Sequence, residues 1–147
     1  MNGSIVVFDL DGTLALIDHR RHFVAKKPKN FQKFEAACVD DPLNVPVARA
    51  WAAYRAAGYE LWIVSGRTSV VRAQTEAWLQ KYAIDPDRLL LRDAKDNRPD
   101  FELKRSWLMD GTIPRDRILC VYDDRSGAVA MWREHGITCF QVAPGDF

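Results

Sequence analysis

The chain has 147 residues, of which 48% are hydrophobic and 11% aromatic, and its formal net charge is +1. This size and composition indicate one folded domain, and the balanced charge argues against a protein that binds nucleic acid through an overall basic surface. No apolar stretch reaches the roughly 18 residues of a membrane span, and residues 1–10 lack the basic start and the cleavage site of a signal peptide, so we expect a cytoplasmic protein.

The first predicted element is a short buried strand, Ile5–Phe8, which ends at the acidic turn Asp9-Leu10-Asp11-Gly12. Residues 15–45 follow as an irregular segment that prolines interrupt, with one short helix predicted at 31–38. This segment is too short to form a second domain. We therefore expect a single domain over residues 1–147, with a small cap insert at about 15–45.

The rest of the chain alternates helices with strands. Pro46 opens a predicted helix at 47–57 with Gly58 just past its end, and Thr68 is predicted to cap a helix that runs through Tyr82. The other predicted helices are 100–109 and 126–135, and the other predicted strands are 59–64, 89–91, 118–122 and 137–142. This alternation indicates an α/β fold, a Rossmann-like doubly wound parallel sheet with helices on both faces.

Polar residues follow several of these strands, at the ends where open parallel sheets bind their ligands. Asp9 and Asp11 follow the first strand, Ser65-Gly66-Arg67 follows the second, and Asp123-Asp124 follows the fourth. Lys104 lies early in the helix before the fourth strand. A parallel sheet would bring these segments together at one rim, although they are far apart in sequence.

Such a set of residues can transfer a phosphoryl group. The carboxylate of Asp9 can attack phosphorus and form an aspartyl-phosphate. Asp11 can protonate the leaving alkoxide and then deprotonate the water that hydrolyses the intermediate. Asp123 and Asp124 complete, with Asp9, a set of hard oxygen ligands for Mg²⁺. The metal and Lys104 would neutralise charge on the phosphoryl oxygens.

Each of these motifs is weak by itself, because a lone Asp-x-Asp or Asp-Asp is usually a solvated turn and a lone helical lysine usually lies on the surface. Their order, and their position next to predicted strands, favours the phosphatase hypothesis, in which Ser65 can hydrogen-bond a phosphate oxygen. The cysteines Cys38, Cys120 and Cys139 lack the spacing of a disulfide framework or a zinc site, and we expect buried free thiols.

Four segments resemble the four motifs of the haloacid dehalogenase superfamily, in the same order. They are Asp9-Leu10-Asp11-Gly12-Thr13-Leu14, Val64-Ser65-Gly66-Arg67, Lys104 and Asp123-Asp124. The end of the chain, with Asp123-Asp124-Arg125, Met131-Trp132-Arg133, Gln141-Val142-Ala143 and Gly145-Asp146-Phe147, is similar to the 3′-phosphatase domain of bacteriophage polynucleotide kinase. The resemblance covers nearly the whole chain and is weakest across residues 21–45.

The resemblance implies a role for each matching residue. Asp9 is implied as the nucleophile and Asp11 as the general acid and base. Mg²⁺ is implied to be held by Asp9, a backbone carbonyl of Asp11, and the pair Asp123 and Asp124. The residues assigned to catalysis are Asp9, Asp11 and Lys104. Those assigned to substrate binding are Thr13, Arg20, Ser65, Gly66, Arg67 and Asp100. Three of these, Arg20, Arg67 and Asp100, match functionally important positions of that family.

The substrate is less determined than the chemistry. The chain has no GxxxxGK[ST] loop, so we expect no kinase domain, and its basic segment at 19–33 has no match. That segment either is a solvated face of the cap or receives a nucleotide or nucleic-acid end, with Phe23 or Phe31 available for base stacking. Arg125 is expected to anchor the acidic pair rather than to touch substrate.

Three alternatives stay open beside the main hypothesis, which is removal of 3′-phosphates from nucleic-acid ends or nucleotides. The first is a phosphatase of free (deoxy)nucleoside 5′-monophosphates. The second is a phosphotransferase, which would need a larger cap to exclude water. The third is a non-catalytic binding module, which the presence of Asp9, Asp11 and Lys104 disfavours.

Overall fold

Five parallel strands form one sheet in the computed structural model, which describes residues 3–147. The strands are β1 (Ile5–Phe8), β2 (Glu60–Thr68), β3 (Arg88–Arg92), β4 (Ile118–Asp123) and β5 (Cys139–Gln141), in the order β3-β2-β1-β4-β5. β1 lies in the centre, and the chain order runs outward from it in both directions, so a topological switch point lies beside β1. Residues 1 and 2, which begin the segment predicted not to be a signal peptide, lie outside the described residues.

Helices cover both faces of this sheet, which confirms the predicted α/β fold. They are α1 (His22–Ala25), α2 (Phe31–Ala36), α3 (Val45–Ala56), α4 (Arg72–Lys81), α5 (Asp100–Met109) and α6 (Ser126–Glu134). Short 3-10 helices cover Asp18–Arg20, Ala37–Asp40, Ser69–Val71 and Arg115–Arg117. Within residues 3–147, no helix is long and apolar enough to cross a membrane.

The side chains of β1 alternate between two cores. Ile5 and Val7 pack in a core with Trp132 of α6 on one face, whereas Val6 and Phe8 pack in a core with residues of α3 and α4 on the other. All four side chains of β1 are at most 1% exposed, and such burial stabilises the fold by roughly 1.5–3 kcal/mol for each large apolar side chain. The three cysteines are buried and free, as predicted.

The structure corrects the predicted start of the third helix. β2 continues beyond residue 64 through Thr68, which was predicted to be a helix cap. Thr68 makes no capping hydrogen bond. Its backbone N–H and its hydroxyl both donate to the carboxylate of Glu35, at 2.8–3.0 Å. The α-helix begins only at Arg72, so the prediction that Thr68 caps it is wrong.

Residues 15–45, the predicted cap, fold into short helices. The predicted helix at 31–38 is α2 followed by a 3-10 turn, and the Asn30 side chain caps α2 by accepting the Lys33 N–H at 3.0 Å. Ala15 forms isolated β-bridges with both Asp11 and Leu43. Both ends of the insert therefore meet beside the first acidic turn, and this places the cap over the carboxyl end of the sheet.

Candidate active site

Polar residues at the ends of β1, β2 and β4 meet at one rim, as expected for parallel strands. Asp9 continues from β1, and its backbone N–H donates to the carbonyl of Tyr122 in β4 at 2.9 Å. Ser65 and Arg67 lie in the last part of β2, and Asp123 ends β4. A cleft of about 1000 Å³ opens above this rim, between the cap and the loops of the sheet.

Three buried carboxylates, those of Asp9, Asp123 and Asp124, have ligand atoms within 4.8 Å of one another. The Thr13 hydroxyl donates to Oδ1 of Asp124 at 3.2 Å, whereas the buried Oδ2 of Asp124 has no hydrogen-bond partner in the described chain. Carboxylates this close repel one another, and a divalent cation relieves the repulsion. The all-oxygen donor set and the unpartnered oxygen fit Mg²⁺.

Lys104, which is fully buried in α5, brings a positive charge to this cluster. Its Nζ lies 2.9 Å from Oδ2 of Asp123, 3.2 Å from Oδ1 of Asp9 and 3.1 Å from Oδ2 of Asp100. Burial alone would lower the pKa of Lys104, but the three carboxylates raise it well above its usual value. Burial also raises the pKa of Asp9 well above its usual value; Lys104 opposes this shift, and Asp123 and Asp124 reinforce it.

Gly12 allows the first acidic turn to approach the acidic pair. Its φ of +79° lies in the left-handed region that side chains other than glycine rarely adopt. A Cβ atom at this position would also collide with the carboxylate of Asp124. Both the backbone conformation and the lack of space therefore require glycine here.

Asp11 lines the cleft, and two arginines hold one of its oxygens. Nη2 of Arg20 donates to Oδ1 of Asp11 at 2.7 Å, and Nη2 of Arg67 donates to the same oxygen. Within residues 3–147, no donor contacts Oδ2. Burial would raise the pKa of Asp11, but the charges and hydrogen bonds of Arg67 and Arg20 lower it below its usual value. The free protein therefore holds Asp11 ionised at neutral pH.

Asp41 is a buried carboxylate that sequence reasoning missed. Its Oδ1 and Oδ2 accept hydrogen bonds from Nε and Nη2 of Arg20, each at 2.8 Å. Nε2 of His19 lies 2.6 Å from Oδ1, and Nη2 of Arg67 lies 3.5 Å from Oδ2. The neighbouring Asp40 is exposed. No signal in the sequence distinguishes the two acids, because only the fold buries one of them.

The predicted substrate-binding residues divide into two groups. Those that line the cleft, together with Asp9 and Asp11, are Ser65, Gly66, Arg67 and Asp100. Thr13 and Arg20 are fully buried and do not line it. Instead they contact acids of the site, since Thr13 donates to Asp124 and Arg20 donates to Asp11.

Aromatic and basic side chains form the walls of the cleft. They include Arg21, Phe31 and Phe34 from the cap, Arg92 at the end of β3, Arg98 from the loop after β3, Arg125 just before α6, and Phe147. Phe31 is 59% exposed. Phe23, the other predicted stacking residue, does not line the cleft and packs 4.0 Å from the ring of His22.

Arg125 departs from its predicted role. Only its backbone anchors the acidic pair, because its N–H donates to Oδ1 of Asp123 at 3.2 Å. Its side chain reaches away, with Nε donating to the backbone oxygen of Phe147 at 2.9 Å and the guanidinium 5.0 Å from the centre of that ring. Arg21 lies 4.4 Å from the centre of the same ring. The guanidinium of Arg125 therefore belongs to the cleft wall rather than to the acidic cluster.

Comparisons with known proteins show which family the chain is related to. The family model of the polynucleotide kinase PNKP phosphatase domain matches residues 3–147. A bifunctional polynucleotide kinase/RNA ligase of Autographa californica nuclear polyhedrosis virus is 30% identical over 141 residues, which are 93% of this chain and 19% of that protein. A chain in the structure of the Pnkp1/Rnl/Hen1 complex is 36% identical with a TM-score of 0.84, over 99% of this chain and 47% of that chain.

The chain therefore spans less than half the length of these relatives. More distant structures share the fold. CbbY from Rhodobacter sphaeroides, solved in complex with phosphate, is 16% identical with a TM-score of 0.64, over 98% of this chain and 87% of that one. This likeness, at 16% identity, shows a shared α/β fold.

Proposed function

Because this chain belongs to the family of polynucleotide kinase phosphatase domains, which are phosphoric monoester hydrolases of the haloacid dehalogenase type, we propose that it removes phosphate from the 3′ ends of nucleic acids. The cleft is the observation that carries the choice of substrate. Its volume of about 1000 Å³ exceeds what a phosphate group fills, and its aromatic and basic walls suit bases and backbone phosphates. Residues 3–147 act in this proposal as one phosphatase domain, with residues 15–45 as its cap.

Asp9 is the nucleophile in this reaction. Its carboxylate forms a bond to phosphorus while the bond between phosphorus and the 3′ oxygen breaks, which gives an aspartyl-phosphate. Lys104 holds Oδ1 of Asp9 from 3.2 Å, and Asp100 orients Lys104. When bound by Asp9, Asp123 and Asp124, Mg²⁺ supplies positive charge that offsets the charge of the phosphoryl oxygens.

Asp11 moves the protons. Its carboxyl gives a proton to the departing 3′ oxygen, and the resulting carboxylate then takes a proton from the water that hydrolyses the aspartyl-phosphate. The lowered pKa of Asp11 in the free protein favours the base form. A doubly charged phosphate bound beside Asp11 favours the protonated form, so the acid arises once the substrate is in place.

The remaining residues of the site bind or orient. Ser65 and the backbone at Gly66, which line the cleft beside Asp9, hydrogen-bond the phosphoryl oxygens. Thr13 fixes Asp124 through its hydroxyl. Phe31, Arg21 and Arg125 receive the nucleotide behind the terminal phosphate, which lets the cleft accept the end of a polymer.

The test is phosphate release from matched 3′-phosphorylated oligonucleotides, 5′-phosphorylated oligonucleotides and free nucleotides, with and without Mg²⁺. We expect the highest kcat/KM for the 3′-phosphorylated oligonucleotide. We also expect its KM to rise steeply with added salt, because several backbone phosphates are neutralised at once. A higher kcat/KM for free 5′-mononucleotides would contradict the proposal and support the nucleotidase alternative. The Asp9→Asn protein serves as the control for contaminating phosphatases.

A further inference from the structure

The side chain of Asp41 is fully buried and makes a two-pronged contact with Arg20. Each carboxylate oxygen accepts one guanidinium hydrogen bond at 2.8 Å, from Nε and from Nη2. Nη1 of Arg20 donates to the backbone oxygen of Phe34 at 3.1 Å. Every guanidinium nitrogen therefore has an acceptor, and the planar group cannot rotate without losing hydrogen bonds.

The same guanidinium connects Asp41 to Asp11 in the cleft. Nη2 of Arg20, which donates to Asp41, also donates to Oδ1 of Asp11 at 2.7 Å. Arg67 reaches the same oxygen of Asp11 and is itself fixed by a 3.1 Å hydrogen bond to Thr75. Both arginines thus occupy Oδ1, and the other oxygen of Asp11 is left for proton transfer.

Charge balance gives Asp41 a second effect on these arginines. Arg20 and Arg67 are buried beside two carboxylates, those of Asp11 and Asp41. Without Asp41, both cations would compete for Asp11 alone, because a buried charge without a partner is strongly unfavourable. Both guanidinium groups would then attract the carboxylate of Asp11 more strongly and displace it from its present orientation.

We propose that Asp41 is a positioning residue for proton transfer, because it fixes the arginine that holds Asp11 with one oxygen turned to the leaving group. Asp41 does not line the cleft, so in this proposal it acts through Arg20. The inference rests on the proposed function, since it takes Asp11 as the acid of that reaction.

The backbone around Asp41 has anchors that do not use its carboxylate. Nε1 of Trp78 donates to the backbone oxygen of Asp41 at 2.8 Å, and the Asp41 N–H donates to the oxygen of Cys38 at 3.1 Å. A change from Asp41 to Asn removes the charge and keeps the shape, so these anchors remain. The exposed neighbour Asp40 provides a matched control, because its substitution removes the same charge one residue away.

The experiment compares single-turnover rates of the parent, Asp41→Asn and Asp40→Asn on two substrates. A 3′-phosphorylated oligonucleotide has a poor leaving group that needs a proton, whereas p-nitrophenyl phosphate does not. For Asp41→Asn we expect a loss of about 10–100-fold on the oligonucleotide and less than about threefold on p-nitrophenyl phosphate, which is the size of a partial loss of general acid catalysis. Asp40→Asn should match the parent on both.

A second comparison tests whether Asp41 acts on the rate through Asp11. In an Asp11→Asn background, adding Asp41→Asn should lower the oligonucleotide rate by less than about twofold, because residues that act through one another are not additive. An unchanged rate of Asp41→Asn on the oligonucleotide, or an equal loss on both substrates, would overturn the inference. A parent that hydrolyses neither substrate would instead overturn the proposed function.

Asp41→Glu covers the case in which Asp41→Asn does not fold. It keeps the negative charge but moves it by one methylene, so it tests geometry with the charge balance intact. We expect a folded protein with the same selective loss on the oligonucleotide. Parent-like rates of Asp41→Glu on both substrates would overturn the inference.

Discussion

Charge is the main constraint on single residues at this site. Five buried carboxylates, those of Asp9, Asp41, Asp100, Asp123 and Asp124, and the cleft residue Asp11 face three buried cations, Arg20, Arg67 and Lys104. Each cation contacts at least two of the acids. The cluster still has an excess of negative charge, and this excess makes a divalent cation favourable near the unpartnered oxygen of Asp124.

Asp9→Asn should abolish phosphate release while the protein stays folded. An amide has nearly the same shape as the carboxylate, but it is a poor nucleophile and a poor metal ligand. The measurement is turnover of a 3′-phosphorylated oligonucleotide, with circular dichroism to check folding. Turnover within about tenfold of the parent would contradict the nucleophile assignment, since losing a nucleophile costs far more than this.

Asp11→Asn should separate the two chemical steps. A nitrophenolate leaves without a proton, so we expect a burst of about one equivalent from p-nitrophenyl phosphate, followed by slow hydrolysis of the aspartyl-phosphate. A 3′ oxygen needs the proton, so the oligonucleotide should show no burst and a loss of about 10²–10⁴-fold. Equal loss on both substrates without a burst would show that Asp11 acts through the geometry of the site.

On the scale of elements, the cap is joined to the sheet at the end of β2. Glu35 of α2 accepts the N–H and the hydroxyl of Thr68 at the end of β2, immediately after Arg67. Arg20 lies under the ring of Phe34 in the same helix, 4.4 Å from its centre. These contacts hold α2, with Phe31, over the cleft. The cap and the end of β2, which carries Ser65 and Gly66, are therefore joined by direct contacts.

Glu35→Ala should weaken this connection. We expect the free energy of unfolding to fall by about 1–2 kcal/mol, because hydrogen bonds to a charged acceptor are lost, and the KM of the oligonucleotide to rise more than kcat falls. Urea denaturation and steady-state kinetics measure the two effects. Glu76→Ala, which removes only the exposed pair with Arg72, is the control and should cost less than about 0.5 kcal/mol. Equal stability of the two variants would contradict this account of the cap.

For the whole molecule, metal binding and pH should act together on stability. Burial and the acidic neighbours raise the pKa of Asp9 in the folded, metal-free protein. A raised pKa means that the protonated group favours folding at low pH, and that this contribution is lost as pH rises through the folded pKa. Mg²⁺ binds the ionised carboxylates and counters the loss. Its stabilising effect should therefore grow with pH.

We expect Mg²⁺ at 100 times its Kd to stabilise the protein by about 2.7 kcal/mol near neutral pH, and by less at acidic pH. The measurement is the Tm in excess Mg²⁺ and in chelator across a pH series. Asp124→Asn should remove most of the Mg²⁺ effect, while Asp116→Asn, a change in a short surface helix, should leave it. A Tm difference that does not vary with pH would contradict the linkage to Asp9.

Local patterns predicted much of this fold because they report burial directly. The apolar run Ile5–Phe8 is buried on both faces of the sheet, and α3 has Pro46 in its first turn and Gly58 just past its C-cap. The boundary at Thr68 could not be predicted, since its partner Glu35 lies 33 residues earlier in the chain. The local sequence does not distinguish a threonine that caps a helix from one that ends a strand. The distinction here depends on the distant carboxylate of Glu35, which accepts the Thr68 N–H.

The amino-acid sequence by itself predicts the chemistry proposed for the site, because Asp9, Asp11, Lys104 and the acidic pair all lie in or beside elements whose type it predicts. Only the tertiary structure shows which of the predicted residues line the cleft and which are buried against the acids. Thr13 and Arg20 were predicted to touch substrate, yet both are buried behind the acids. Asp41 was not predicted, because its role depends on contacts with His19, Arg20 and Arg67. The physical reason is that residue type and spacing predict which groups reach the rim, whereas desolvation and charge pairing arise only once the chain has folded.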